Sequence, residues 1–339
     1  MFHFRKGALA FIAMTSLLAV SACSTTPEPA ETSDPVTLRW GLVLNEDHAW
    51  YTCGIEKVQE ILAENDEAKL DIEVFPGGQL GTNEEMVDSV SQGTLDMTIP
   101  GVGSVSGLYP DFGVLEAFFV FDDVDHGLEV WNGEIGAELK QGAIDEANVH
   151  VLGDLWYIGT RYVTANKKIE TPADLVGLSM RAQDTPASFA NISSLGANPT
   201  PINFGELYLA LSQGVVDSQE NPIPNIVAAK FQEVQDYLML TAHVPQFGSV
   251  LISEDVWQGL SATQQQALDD AVRTAAANVR VCIEEQETTV LEEWQNSADP
   301  PIEVVEVDRD AFQEAALEYF TGPDGPAFSE LYQRIRETS

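Results

Sequence analysis

Hydrophobic and polar positions in the first part of the chain alternate over short runs, and these runs are separated by segments with helical spacing. Alternation at 36–43 and 69–75 and a buried apolar run at 95–99 predict strands. Apolar residues spaced three or four apart at 50–62 and 83–92 predict amphipathic helices. The order strand–helix–strand–helix–strand predicts a parallel sheet covered by helices. Ligands of such sheets bind at the carboxyl ends of the strands.

The same rhythm returns further along the chain. Strands are expected at 149–156, 178–181 and 215–219, and helices at 186–195 and 205–213. This alternation predicts a second α/β unit.

A long amphipathic helix is expected near the carboxyl terminus. Ser261 and Gln264 have the spacing of a capping box, and apolar residues then recur every three or four positions as far as Trp294. Such a helix is longer than either α/β unit requires and could brace two lobes. Two helices with a break near 286–289 are the alternative.

The amino terminus has the pattern of a processing signal. Basic residues precede an apolar run at 8–20, which is too short to span a bilayer as a helix. The sequence VSAC ending at Cys23 resembles the lipobox of bacterial lipoproteins. We expect a signal peptide at 1–22, lipidation of Cys23 and a disordered tether at 23–35, which would anchor a globular protein outside the cytoplasm.

The overall charge is strongly negative. The 339 residues include 16 Lys and Arg against 54 Asp and Glu, for a formal net charge of −38. This balance excludes a general nucleic-acid binder and argues against an anionic membrane face as a partner. A soluble, self-repelling surface is the main interpretation, and a basic partner or metal buffering is the alternative. Capture of an anion must depend on close, desolvated arginines, since salt screens charges beyond about 8 Å.

Two cysteines remain after Cys23 is set aside. Cys53 and Cys282 can form only one pair, and an extracytoplasmic setting permits a disulfide. Two separate buried thiols are the alternative. Neither cysteine has the spacing of a metal site.

Catalytic motifs have little support in this sequence. His48, His126, His150 and His243 are scattered, and no Ser/His/Asp or HxxxH context surrounds them. The segment 101–106 (GVGSVS) lacks the third glycine of a dinucleotide-binding loop. We therefore expect no enzyme, no cofactor and no metal site, against the alternative of a secreted hydrolase.

A binding cleft fits the polar residues better. Arg181 ends an apolar strand, and a buried arginine needs a partner, which could be a structural carboxylate or a ligand. Arg161 follows a strand expected in the same sheet. Asn221, in an expected turn at 219–222, offers a donor and an acceptor, and Phe204, in an expected extended segment, offers an apolar wall. These groups suit a small polar carboxylate.

Ordered motifs carry a family resemblance. The chain resembles the substrate-binding protein of a TRAP (tripartite ATP-independent periplasmic) transporter, of the dicarboxylate- and sialic-acid-binding type, over nearly the whole mature length. The motifs are VFPGGQLGTNEEM at 74–86, QGTLDMTI at 92–99, GTR at 159–161, GLSMRAQDTPASF at 177–189, LGANPTPINFGELYLAL at 195–211 and GVVDSQENP ending at Pro222.

The resemblance implies an α/β fold of the periplasmic-binding-protein type. It would be a two-lobed clamshell, with a mixed, mostly parallel sheet flanked by helices in each lobe and a long helix spanning both. Lobe I would comprise 36–158 and 247–287, and lobe II 159–246 and 288–339.

The resemblance also implies the site. The ligand carboxylate would meet Arg181, joined by Arg161, Phe204 and Asn221. The other lobe would contribute Asn45, Glu46 and His48 from the loop after the first strand. Where sialic-acid binders carry a carboxylate, this chain has Pro100-Gly101, so sialic acid is not expected. Trp156 and Tyr157 would narrow the cleft, or would pack in the core.

The function implied is that of a lipid-anchored, monomeric receptor for a small organic acid. It would deliver the acid to membrane subunits driven by an ion gradient. A binding protein that feeds a sensory receptor is the alternative.

Overall fold

The computed structural model describes residues 35–323 and 325–338, which form an α/β fold. The expected signal peptide, Cys23 and nearly all of the expected tether lie outside the described residues. The strands are β1 Val36–Gly41, β2 Leu70–Phe75, β3 Met97–Thr98, β4 Val149–Ala165, β5 Ser179–Ala182, β6 Asn198–Pro201, β7 Ser218–Pro222, β8 Tyr237–Met239, β9 Pro245–Ser253 and β10 Glu303–Val305. The helices are α1 Glu56–Ala63, α2 Asn83–Ser91, α3 Val124–Asn132, α4 Glu134–Ala147, α5 Pro186–Ser194, α6 Phe204–Ser212, α7 Ile223–Ala228, α8 Glu254–Gly259, α9 Ala262–Asn296, α10 Arg309–Thr321 and α11 Ser329–Arg336.

The sheet is mixed, in the order β2-β1-β3-β9-β4-β7-β5-β6, with β8 paired to β4 and β10 to β8. Strand β1 runs parallel to β2 and β3, and β5 runs parallel to β6 and β7. The parallel sheet predicted for the first part of the chain is therefore confirmed, and the predicted second α/β unit also contains parallel strands. Antiparallel pairing through β9 and β4 joins them.

Strand β4 belongs to both parts of the sheet. Its first part pairs with β9, and its last residues pair with β7 and β8. The pairing with β9 shifts register between Leu152 and Trp156 and again between Tyr157 and Gly159. Gly159 has φ +124°, and a Cβ there would lie 2.7 Å from the Cβ of Pro222. Only glycine tolerates this backbone and this close approach.

Helix α9 is continuous over 35 residues, so the alternative of a break near 286–289 is wrong. It begins with the predicted capping box of Ser261 and Gln264. Asp269 Oδ1 accepts a hydrogen bond from Gly153 N at 2.7 Å, and Glu287 Oε1 accepts one from Thr160 N at 2.8 Å. Gly153 lies in the first irregular stretch of β4, and Thr160 directly follows the second, so carboxylates from α9 satisfy backbone donors at both places.

Two local predictions are wrong. The segment 219–222 was expected as a turn but lies in β7, where Asn221 pairs with Tyr162 of β4. Pro222 is tolerated there because it ends the strand. Phe204 was expected in an extended segment but is the first residue of α6.

Cys53 and Cys282 form a disulfide in the structure. It joins the π-helical turn Trp50–Ile55 to the middle of α9, across a sequence separation of 229 residues. The bond therefore fixes the segment after β1 to the long helix.

Replacing both cysteines with alanine is expected to lower the free energy of unfolding by about 2–5 kcal/mol, because the closed loop is long and its constraint on the unfolded chain is lost. Urea unfolding followed by circular dichroism measures the change. A reductant should shift the wild-type midpoint and leave the double variant unaffected. Equal unfolding midpoints for the wild type without reductant and for the double variant would contradict the expectation.

Candidate functional site

A cleft that is partly open to solvent lies between the two parts of the sheet. Val43 and Ile99 reach it from the segments after β1 and β3, and Phe204 reaches it from α6. The polar lining residues are Asn83, Arg161, Arg181, Gln183, Asn221, Asn225 and Gln246. The cleft is thus at the carboxyl ends of the strands, where ligands of α/β sheets bind.

Half of the predicted site residues lie together in this cleft. Arg181, Arg161, Asn221, Phe204 and Gly101 all line it, although they come from different strands, helices and loops. Gly101 contributes backbone only, so the cleft has no side chain at this point.

The other predicted residues lie outside the lining. Glu46 is exposed, and Asn45 lies beside Gly77. His48 is buried, and its Nε2 lies 3.1 Å from Oδ1 of Asn225, so it supports a lining residue. Burial lowers the pKa of His48 to about 4, which keeps the ring neutral at neutral pH.

Trp156 and Tyr157 are buried against α9 and the core. Trp156 Nε1 donates to Val272 O at 3.2 Å, and the Tyr157 hydroxyl donates to Glu287 Oε2 at 2.7 Å. In this structure they pack in the core, the second interpretation that the sequence left open.

Arg161 is already paired within the protein. Its guanidinium forms a bidentate pair with the buried carboxylate of Glu220, with Nη2 and Oε1 2.6 Å apart, and also donates to Gln246 Oε1. His243 Nε2 lies 3.0 Å from the same carboxylate. Burial alone would raise the pKa of Glu220, but Arg161 and His243 hold it at about 2. Arg161 and Glu220 therefore form a neutral pair at the base of the cleft.

Arg181 has no such partner. It is 3 % exposed, and its Nε donates to Ile202 O at 2.9 Å. Within residues 35–323 and 325–338 no carboxylate lies within 4.0 Å of its guanidinium. Burial is the main cause and the positive charge of Arg161 the second cause that lower the pKa of Arg181 to about 10. The side chain therefore stays cationic at neutral pH. This is a buried positive charge without a counter-ion in the described protein.

Several amides in the lining were not singled out from the sequence. Asn83 begins α2, and its Oδ1 is buried without a hydrogen-bond partner among the described residues. Gln183 follows β5, and Asn225 lies on α7. Gln246 lies in β9, a strand whose nine residues are all buried and show no alternation that would reveal it. The position of Asn83 in the motif at 74–86 was the available signal for that residue.

Among residues 35–323 and 325–338, no cluster of three or more His, Cys, Asp or Glu side chains could hold a metal ion. None of the described helices combines the length and the apolar character needed to cross a membrane.

Comparison with known proteins gives consistent matches over most of the chain. The family model of the bacterial extracellular solute-binding proteins, family 7, matches residues 41–321. The 2,3-diketo-L-gulonate-binding periplasmic protein of Escherichia coli is 32 % identical over 281 residues, which are 82 % of this chain and 84 % of that protein.

Solved structures of TRAP periplasmic solute-binding proteins are also similar. The Roseobacter denitrificans protein with bound L-galactonate has a TM-score of 0.80 and 32 % identity, covering 89 % of this chain and 99 % of that one. The Polaromonas protein bound to D-erythronate has a TM-score of 0.78 and 28 % identity, covering 89 % of this chain and 98 % of that one.

Proposed function

The chain belongs to family 7 of the bacterial extracellular solute-binding proteins, and from this premise we propose that its ligand is a sugar acid held by its carboxylate at Arg181. The family is one of binding proteins for TRAP transport, and it is not enzymatic. The ligand class and the residues that hold it are the proposal.

The unpaired guanidinium of Arg181 carries this proposal. A buried charge without a partner is costly, and a carboxylate that accepts parallel hydrogen bonds removes that cost. Arg161 is neutralised by Glu220, so it adds a hydrogen-bonding surface rather than a second free charge. One unpaired arginine matches one carboxylate of the ligand.

The rest of the lining suits hydroxyl groups. Amides of Asn83, Gln183 and Asn221 present both donors and acceptors to the cleft, and Phe204 offers an apolar face. A polyhydroxylated acid satisfies such groups along its length. L-Galactonate, D-erythronate and 2,3-diketo-L-gulonate, the ligands named for similar proteins, all combine a carboxylate with several oxygen substituents.

We propose that closure of two lobes retains the ligand. The bounds are those expected from the sequence, with lobe I at 36–158 and 247–287 and lobe II at 159–246 and 288–339. The division of the sheet at the irregular part of β4 supports them. Supporting evidence also comes from a separate hydrophobic cluster around α6, α7 and β8, within the second of these lobes. A ligand that contacts both lobes favours the closed form.

Delivery is also part of the proposal. The receptor would be anchored outside the cytoplasm by a lipid at Cys23 and would pass its ligand to TRAP membrane subunits that use an ion gradient. Export is supported by the apolar run at 8–20 and the cysteine that follows it.

A thermal-shift screen tests the ligand class. L-Galactonate, D-erythronate or a related sugar acid is expected to raise the unfolding temperature by several degrees, since a ligand at about 1,000 times its Kd adds about 4 kcal/mol to the folded state. N-Acetylneuraminate is expected to have no effect, because Gly101 offers it no side chain. No shift with any sugar acid would count against the proposal.

A further inference from the structure

A buried carboxyl group lies directly behind the cleft at Gly101. It belongs to Glu116, which ends the 3-10 helix Pro110–Glu116 and is 4 % exposed. Its Oε2 is 3.9 Å from the position that a Cβ on Gly101 would take. The carboxyl also fills the space that a Cβ on Gly103 would need. The lack of side chains at these two glycines is what makes room for Glu116 beside the site.

Glu116 is fixed in place but is not ion-paired. Gly103 N donates to Oε2 at 3.1 Å, and Asn191 Nδ2 donates to the backbone carbonyl of Glu116 at 2.9 Å. In the part of the chain that the structure describes, no cation lies within 4.0 Å of the carboxyl. An ionised carboxylate with a single hydrogen bond is expensive to bury.

The charged groups that face Glu116 are few. Arg161 from β4 and Arg181 from β5 attract its negative charge, and Glu220 from β7 repels it. Three neighbouring elements, α5, β9 and the 3-10 helix Val102–Gly107, carry no titratable side chain. Asp111 lies at the opposite end of the 3-10 helix that carries Glu116. It faces Glu138 of α4, which is paired with Arg334 of α11.

Without a ligand, the charges of the four buried side chains Arg161, Arg181, Glu220 and Glu116 therefore balance. His243, beside Glu220, is neutral at neutral pH because burial lowers its pKa, and Glu84, which also attracts Arg181, is only partly buried. Arg161 and Arg181 contribute two positive charges, and Glu220 and an ionised Glu116 contribute two negative ones. A carboxylate ligand adds one negative charge beside these four side chains, each of which is at most 4 % exposed. The surplus is removed if one carboxylate of the protein takes up a proton, and Glu116 is the one without a paired arginine.

Resting on the proposed function, we infer that Glu116 binds a proton when a carboxylate ligand binds at Arg181, and that this coupling makes the cleft selective for acids with a single negative charge. A second ligand carboxylate would leave the four buried side chains and the ligand with a net negative charge even with Glu116 protonated. D-Erythronate should therefore bind more tightly than succinate, which has the same number of carbon atoms and two carboxylates.

The pKa of Glu116 is close to neutral pH, where proton uptake on ligand binding can be measured. Burial raises its pKa to about 7, with Arg161 acting in the opposite direction and Glu220 in the same one. The negative charge of a bound ligand raises the pKa further. Because the ligand prefers the protonated form, affinity is highest below pH 7 and falls as the pH rises above it, by up to about tenfold per pH unit.

Calorimetry with two buffers of different ionisation enthalpy measures the proton directly. For wild-type protein at pH 7.5, the tightest-binding sugar acid of a panel containing L-galactonate and D-erythronate is expected to bring with it about half to three-quarters of a proton. Glu116→Gln, which keeps an acceptor for Gly103 N–H, should bind the acid with no proton uptake and with a Kd independent of pH. The matched control Asp111→Asn removes a carboxylate from the same 3-10 helix and should retain the wild-type uptake.

Infrared difference spectroscopy of the wild type gives a second measurement that needs no variant. Ligand addition should produce the band of a protonated carboxyl group. Binding without proton uptake, uptake that persists in Glu116→Gln, or tighter binding of succinate than of D-erythronate would each overturn this inference while leaving the proposed function standing. Failure of every sugar acid to bind would instead overturn the proposed function and, with it, this inference.

Discussion

Arg181→Met is expected to weaken binding of a sugar acid by about 30-fold or more while leaving the fold intact. Truncation of one partner in a buried, hydrogen-bonded charge pair costs at least about 2–5 kcal/mol, and 1.4 kcal/mol is a factor of ten in Kd. The fold should tolerate the change because Arg181 pairs with no carboxylate among the described residues. Isothermal titration calorimetry gives Kd, and thermal unfolding reports the fold.

Arg273→Met is the matched control for that variant. Arg273 lies on the exposed side of α9, where it pairs with Asp154 and Asp269, remote from the cleft lining. The substitution removes the same charge as Arg181→Met. Because Arg273 does not line the cleft, the control should bind like the wild type. Near-native affinity in Arg181→Met would refute the assignment of Arg181 as the carboxylate anchor.

Arg161→Met should have the opposite profile, with its main effect on stability. Removal of this guanidinium leaves Glu220 as a buried carboxylate held only by His243, and breaking a buried pair in this way costs about 3–5 kcal/mol. Urea unfolding at neutral pH measures the loss. The contrast with Arg181 follows from pairing, since both arginines are buried and line the same cleft.

The double variant Arg161→Met with Glu220→Gln separates charge from packing. Neutralising Glu220 removes the unpaired charge, so the double variant should recover a substantial part of the stability lost in Arg161→Met. If Glu220→Gln brought no recovery, or if Arg161→Met cost less than about 1 kcal/mol, the buried pair would not be the source of the effect.

The sequence predicted the features that depend on local pattern. Alternation and helical spacing predicted the parallel strands β1, β2 and β3 and the strands β5 and β7, and the capping box at Ser261 predicted the start of α9. Arg181 was found because it ends an apolar strand. Such signals are local, so they survive in any tertiary context.

The unpredicted features depend on contacts between distant segments. The pairing of Arg161 with Glu220 requires β4 and β7 to lie antiparallel in one particular register, which no local pattern specifies. Strand β9 was missed because burial on both faces removes the alternation. Asn45 and His48 were expected in the cleft, but the backbone bond from His48 N to Asn45 O closes a turn that directs His48 to Asn225 instead.

Two carboxylates of α9 bind backbone N–H groups of β4, so the spacing of these carboxylates along the helix must match the spacing of the two donors along the strand. Asp269 and Glu287 are about five helical turns apart, so both project from the same side of α9 towards Gly153 and Thr160. One residue inserted between them would rotate Glu287 by about 100° away from the strand. During divergence, the segment 269–287 should therefore resist insertions and deletions even where its individual residues change.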